Sequence, residues 1–233
     1  PWLPRRGLVG RTRFIVSVLT RHGWGWILSQ MGANSAARRE PPGLSPEGDN
    51  RQQAAHLREA FNDLGATFIK LGQALSTRPD LLPPEYIAEL GKLQDDVPPL
   101  PFEAMEKVLI DELGRPAAEI FSEFDPQPLA SASIGQVYAG RLKNGIKVVV
   151  KIRRPDVAKT MNQDLEILAA MAGWIMAHTN LGQLYDMNAF VEEFSFRLRN
   201  ELDYVREGQN AGIFKKNFAD DPTIYIPYVF WDL

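Results

Sequence analysis

The sequence predicts an α+β chain in which several amphipathic helices lead into a small antiparallel sheet and helices follow it. Three observations carry that prediction. Leu57, Phe61, Leu64, Phe68, Leu71 and Leu75 recur at alternating steps of four and three, which lays one apolar stripe along a helix. Gly135 to about Leu142 and Lys147 to Ile152 are strand-like runs separated by Lys143-Asn144-Gly145, and the Asn-Gly pair is the one favoured in type I′ hairpins. A helix rich in alanine and methionine then runs from about Asp156 to Thr179, and a second helix from about Asn188 to Phe218.

Composition bounds the rest. A chain of 233 residues with 45% hydrophobic and 24% charged residues can bury a real core. The net charge of −3 argues against general nucleic-acid binding. The charge is uneven, however: residues 1–50 hold seven arginines (Arg5, Arg6, Arg11, Arg13, Arg21, Arg38 and Arg39) against Glu40, Glu47 and Asp49, a local charge of +4 that leaves −7 on the remainder. With no cysteine there are no disulfides or thiolate chemistry, which fits a reducing compartment. His22, His56 and His178 stand far apart without metal-ligand spacing. No apolar run reaches the roughly 20 residues that span a bilayer, and the absence of an initiating methionine suggests a trimmed or partial chain.

Taken in order, residues 5–31 mix arginines with Phe14, Ile15, Val16, Val18, Leu19, Trp24, Trp26, Ile27 and Leu28. Two readings stay open: a segment lying on a membrane surface, with arginines at anionic head groups and tryptophans at the interface, or a helix packed on the domain behind it. Residues 34–50, with Pro41-Pro42-Gly43, read as a linker. One helix is expected over residues 51–77, ended by Pro79. Off its apolar stripe, Lys70, Gln73 and Thr77 form a polar ridge. Pro83-Pro84 opens a short helix to about Leu93, and Asp95 to Pro101 is a stiff connector. Phe102 to Leu113 is amphipathic again, capped by Gly114, and the sheet starts near residues 120–124.

The stretch from Pro128 to Pro155 organises the chain. Ala130, Ser131, Ala132, Ser133, Ile134, Gly135, Gln136 and Val137 keep the spacing of the phosphate-clamping pattern G-x-G-x-x-G-x-V, with Ala130 and Ala132 where its first two glycines stand. Alanine resists the positive φ that glycine adopts freely, so this loop is expected to be stiffer and differently shaped. On the returning strand Val149 and Lys151 share one face while Val148, Val150 and Ile152 share the other. Such a lysine supplies positive charge to the phosphates that the loop backbone approaches. In the last long helix, Asn200, Asp203, Glu207 and Asn210 fall on one face, and two acids four apart repel unless a cation lies between them. Thr223 to Phe230 reads as a further strand.

Lys70-Leu71-Gly72-Gln73, the alanine-rich loop with Lys151, and Glu201-Leu202-Asp203 with Glu207 stand in one order. Over residues 50–233 this resembles the UbiB family of atypical protein-kinase-like proteins, which is associated with coenzyme Q and isoprenoid-lipid biology. The resemblance implies a kinase-like small lobe over residues 116–233 with an inserted helix, a helical extension over residues 51–115, and a basic segment with linker over residues 1–50. It implies ATP with magnesium as the ligand. Lys151 would hold the nucleotide phosphates with Glu207 as its partner, and residues 130–137 would form the loop above the nucleotide. Lys70 and Gln73 would cover the site opposite Glu201 and Asp203. Fourteen residues separate Val137 from Lys151, an ordinary interval, but the 56 from Lys151 to Glu207 need the inserted helix; Glu166 is the other candidate partner.

One departure from the kinase pattern is plain. Neither H-R-D nor D-F-G occurs before Leu233, so the catalytic aspartates and the magnesium ligands are expected in a large lobe beyond it. The resemblance then implies an atypical kinase or ATPase for the intact protein, or a pseudokinase-like scaffold for lipid or protein. ATP, a lipid or membrane surface and quinone-biosynthesis proteins are the expected partners, with a peripheral-membrane or cytoplasmic location.

Overall fold

The computed structural model describes residues 6–24, 50–94, 97–179 and 185–233. After a 3-10 turn come α1 (Val9–Arg21), α2 (Asn50–Leu64), α3 (Ala66–Ser76), α4 (Pro84–Leu90), α5 (Phe102–Leu113) and the single turn α6 (Ala117–Ile120). Strands β1 (Phe121–Ser131), β2 (Gly135–Leu142) and β3 (Lys147–Arg153) follow, then α7 (Val157–His178), α8 (Met187–Leu202) and α9 (Tyr204–Asn217). The strands make one antiparallel sheet in the order β1-β2-β3.

Where the apolar stripe predicts one helix over residues 51–77, two form. Gly65 adopts φ +92° between α2 and α3, a conformation that favours glycine, and its carbonyl accepts from the amides of Phe68 and Ile69, both at 3.0 Å. The stripe survives the break, because Phe61, Leu64, Phe68 and Leu71 are all buried. The late helix divides in the same manner at Asp203. Its backbone leaves the helical region, and its Oδ1 accepts from the Arg206 amide at 2.9 Å, capping α9. A short acid that can seize an early amide of a new helix is as much a boundary as a helical residue, and spacing alone does not tell the two apart.

Three smaller expectations also change. The β2–β3 turn is not type I′: Asn144 lacks the positive φ that type needs, Gly145 alone has it (φ +86°), and the Gly145 amide bonds the Leu142 carbonyl at 2.8 Å. That is a three-residue loop with a glycine in the left-handed region. Pro128 to Ser131 lie in β1 rather than in a loop, so the turn itself is Ala132 to Ile134. Thr223 to Phe230 forms no strand; the chain there lies over α9, with Val229 and Trp231 against Gly208 and Lys215 over the Tyr228 ring.

Two clusters make the core. The sheet packs Tyr138, Leu142 and Ile152 against Met105 and Leu109 of α5, with Val148 and Val150 alongside. This is the strand alternation expected from sequence, and Val149 on the other face is 66% exposed. Fully buried Gln136 belongs to this side too: Oε1 accepts from the Leu100 amide at 2.8 Å, and Nε2 donates to the Tyr138 hydroxyl at 2.7 Å. The second cluster gathers α1, α2, α3, α4, α7 and α8. Ile15, Val18 and Leu19 of α1 lie inside it, so over its described residues the basic segment is a packed helix whose apolar face is turned inward. Trp26, Ile27, Leu28 and the linker read at residues 34–49 lie outside the described residues.

A single carboxylate holds the helical cluster together. Asp164 of α7 is fully buried and accepts from Arg11 Nε (2.7 Å), Arg11 Nη2 (2.9 Å) and the Thr67 hydroxyl (2.7 Å), while Arg11 Nη2 also donates to the Leu64 carbonyl (2.8 Å). Helices α1, the end of α2, α3 and α7 thus share one polar node. Removing one member of a buried pair strands the other charge, at a cost of about 3–5 kcal/mol. Asp164→Ala is therefore expected to lose about that much stability in chemical denaturation, and Thr67→Val, which removes one bond to the charge, about 1.5–3 kcal/mol. An Asp164→Ala variant with unchanged denaturation midpoint would show that the node is not the organiser.

Candidate functional site

The sheet face that carries Val149 looks onto the junction of α8 and α9, and a cavity of about 600 Å3 lies between them. Ala130 of β1 and the turn Ala132 to Ile134 roof it, Gly135, Val137 and Lys151 form its strand wall, and Lys70 reaches it from α3. Asn200 and Glu201 end α8 at its edge, and Tyr204, Arg206, Glu207 and Asn210 open α9 along it. Lys151 stands opposite Val137 in the β2–β3 register, so the pleat itself aims the lysine into the space beneath the loop.

Two ion pairs close the cavity. Lys151 Nζ lies 2.7 Å from Glu207 Oε2, and Lys70 Nζ lies 2.9 Å from Glu201 Oε2. The first is open to water, with side chains 40% and 59% exposed. Pairs of that kind contribute no more than about 1 kcal/mol, so the carboxylate is held to the lysine only weakly. Lys70, at 16% exposure, sits deeper.

The loop above them is tied down. Arg154 donates from Nε to the Ala132 carbonyl (2.8 Å) and from Nη2 to the Ser131 hydroxyl (2.8 Å) and the Pro98 carbonyl (2.9 Å), and its own amide reaches the Ile134 carbonyl (3.0 Å). Ile134, at the tip of the turn, is buried in the helical cluster. At Gly135 the absence of a side chain is obligatory, since a Cβ there would lie 2.4 Å from the Tyr204 hydroxyl and 2.8 Å from the Ile152 carbonyl.

Tyr204 sits under the site. Its ring lies 4.4 Å from Lys151 Nζ, a cation–π contact, and its buried hydroxyl has no hydrogen-bond partner. Burial, helped by the Glu207 carboxylate and opposed by Arg153, pushes the phenol up to about 12.

Of the residues singled out in the sequence, Lys151, Glu207, Lys70, Glu201, Ala130, Ala132, Ser133, Ile134, Gly135 and Val137 line the cavity. Four do not. Ser131 is held by Arg154, Gln136 faces the sheet core, and Gln73 donates to the Leu93 carbonyl just beyond α4 at 3.2 Å. Asp203 is spent on capping α9 and does not join Glu207 and Asn210 in lining the cavity. Glu166 is exposed on α7, and Lys151 donates to Glu207. Sequence reasoning missed Tyr204 and Arg154, although each adjoins a singled-out motif: Tyr204 directly follows Asp203, and Arg154 lies three residues beyond Lys151. It also gave no site role to Arg206, whose Nη1 bonds Asn200 Oδ1 at 2.7 Å across the α8–α9 break.

Residues 92–233 match the model of the ABC1 atypical kinase-like domain. The chain belongs to this ABC1 family. It is 44% identical over 176 residues to a probable protein kinase UbiB of Marinobacter nauticus, covering 76% of this chain and 32% of that one. A relative in Arabidopsis thaliana, the chloroplastic protein Activity of bc1 complex kinase 7, is 42% identical over 182 residues, 78% of this chain and 26% of that one. Among solved structures, the Rv3197–erythromycin complex of Mycobacterium tuberculosis is similar with a TM-score of 0.51 and 32% identity, covering 72% of this chain and 42% of that chain. The chain thus spans about a third of the length of the curated relatives it matches. The helices with a three-stranded antiparallel sheet are those of a kinase-like small lobe in the ABC1 family.

The orphaned phenol makes a direct prediction. A buried donor without a partner costs about 1–3 kcal/mol, so Tyr204→Phe is expected to leave stability unchanged or raise it. The pH dependence has a definite sign. A phenol whose folded value is raised to about 12 from an ordinary 10 favours the folded state fully below pH 10 and loses that contribution as pH climbs toward 12. Wild type should therefore fall off more steeply than Tyr204→Phe in melts between pH 10 and 12; parallel curves would mean that the hydroxyl is paired or wet.

Proposed function

We propose that the full-length protein is an atypical kinase or ATPase of the UbiB type that holds ATP with magnesium in this cavity and supports ubiquinone or other isoprenoid-lipid metabolism at a membrane surface. One observation carries the reading: a strand lysine, Lys151, projects beneath a small-residue loop and meets a helix carboxylate, Glu207, at 2.7 Å beside a cavity of about 600 Å3. The size suits a nucleotide, since small-molecule sites run from roughly 300 to 1,000 Å3.

The chain's own residues would act by binding and orientation. Lys151 neutralises phosphate oxygens once released from Glu207, the loop backbone approaches them where Ala130 and Ala132 present little bulk, and Lys70 with Glu201 covers the far side. Bound magnesium would supply charge neutralisation at the phosphates. Among the described residues no three His, Asp or Glu side chains group as ligands, so we assign that ion to none of them. The described residues contain no helix long and apolar enough to cross a membrane. A peripheral-membrane or cytoplasmic location facing a reducing compartment, and quinone-biosynthesis proteins as partners, belong to the same proposal. A scaffold that binds lipid or protein without phosphoryl transfer is the second reading. It is favoured by the two ion pairs, which neutralise both cavity lysines without any ligand.

Two measurements on the full-length protein decide between them. ATP with magnesium is expected to raise the melting temperature of wild type and not of Lys151→Ala; no shift in wild type would remove the nucleotide reading. Lys70→Glu sets two carboxylates face to face at Glu201 and is expected to speed nucleotide exchange or turnover severalfold. Unchanged rates would reduce the Lys70–Glu201 pair to a surface contact.

A further inference from the structure

Glu207 alone does not explain why Lys151 stands where it does. A lysine has four rotatable methylenes and its partner carboxylate is 59% exposed, so one flexible side chain would be fixed by another that is itself free to turn. Tyr204 is different. Its hydroxyl occupies the space that Gly135 leaves by lacking a Cβ, which seats the side chain against β2. The ring presents its face to Lys151 Nζ, 4.4 Å from its centroid. The hydroxyl makes no hydrogen bond and only fills that space, so it is the ring that acts on Lys151, through its charge distribution.

We infer that Tyr204 is the positioning residue for Lys151: a ring seated against Gly135 whose face fixes where the ammonium waits for its anionic ligand. One side chain of α9 thereby ties together the loop end, the lysine strand and the acid helix, and the lysine keeps its place when Glu207 is displaced. This rests on the nucleotide reading for the identity of the ligand, but not for the position of the lysine.

The test separates the two. In the full-length protein without nucleotide, Lys151 is acetylated with an N-hydroxysuccinimide ester at fixed pH and the rate read by mass spectrometry, with exposed Lys147 as internal reference. A cation–π contact near the surface corresponds to about a two- to fivefold equilibrium effect, so Tyr204→Leu is expected to raise Lys151 labelling by that factor relative to Lys147. Tyr204→Phe keeps the ring and is expected to match wild type within twofold. The dissociation constant for ATP with magnesium should rise severalfold in Tyr204→Leu and stay level in Tyr204→Phe. Tyr204→Met, unbranched, repeats the test should the leucine variant fail to fold. Wild-type labelling in Tyr204→Leu and Tyr204→Met overturns the inference, and so does a Tyr204→Phe as altered as they are, because the ring would then not be the agent. Failure of wild type to bind ATP would remove the nucleotide reading, while the labelling ratio would still decide the role of Tyr204.

Discussion

The charge on Asp164 sets the geometry of everything that reaches the cavity from the helical side. A carboxylate taken wholly out of water is tolerated only when its lone pairs are filled, and here two Arg11 nitrogens and the Thr67 hydroxyl fill them. Because Thr67 and Lys70 lie on the same helix three residues apart, fixing one fixes the rotation of the other. Asp164 also anchors α7, on which α8 packs through the cluster that holds Leu165, Leu168, Val191, Phe194 and Leu198. Glu201, on the last turn of α8, and Lys70 are therefore brought to 2.9 Å by packing decided elsewhere.

The α8–α9 break gives that rigid frame its chemistry. An unbroken helix would carry Glu201 and Glu207 at a rotation of about 600°, so that their side chains point about 120° apart and do not share the face turned to this cavity. Ending α8 at Leu202 and restarting at Tyr204 lets Glu201 turn to Lys70 and Glu207 to Lys151. Asp203 makes the restart affordable by capping α9, and Arg206 braces it by reaching back to Asn200. The acid that spacing places in the site works at the hinge.

How much of this was legible follows the kind of signal involved. The strands, the Lys151 face and the apolar stripe were readable because period two and period 3.6 are imposed by burial, and burial shows in residue type. The cavity-lining lysines and acids were readable because their motifs occur in one order. What escaped depended on backbone departures that periodicity does not encode: Gly65 and Asp203 each look like an ordinary helical position until a positive φ or a captured amide ends the helix. Gln73, Gln136 and Ser131 escaped for another reason. An amide or hydroxyl suits a ligand and a buried carbonyl equally, and only the fold shows that Leu93, Leu100 and Arg154 claim them. Tyr204 was hidden by its chemistry, because an aromatic beside acids reads as packing, and its contacts come from β2 and β3, far from it in sequence.

The alanines in the loop take on a different meaning once the loop's fastenings are known. A glycine-rich clamp is permissive and must be ordered when the ligand arrives, an entropic cost of about 1–2 kcal/mol per residue fixed. Here that ordering has largely been done during folding: Ile134 is sunk in the helical cluster, Arg154 holds the Ser131 hydroxyl and the Ala132 carbonyl with its side chain and the Ile134 carbonyl with its amide, and Gly135 is pressed by Tyr204. Left-handed backbone is not required at any described alanine, since Asp156 is the one non-glycine residue with positive φ among the described residues, and so the substitution of alanine for glycine carries no strain. A loop ordered in advance gains affinity by avoiding the ordering cost at binding, and gives up the adaptability that lets one clamp serve many ligands. The stiffness expected from the alanines thus has its source in what surrounds them: the alanines permit the fixed shape, and Ile134, Arg154 and Tyr204 impose it.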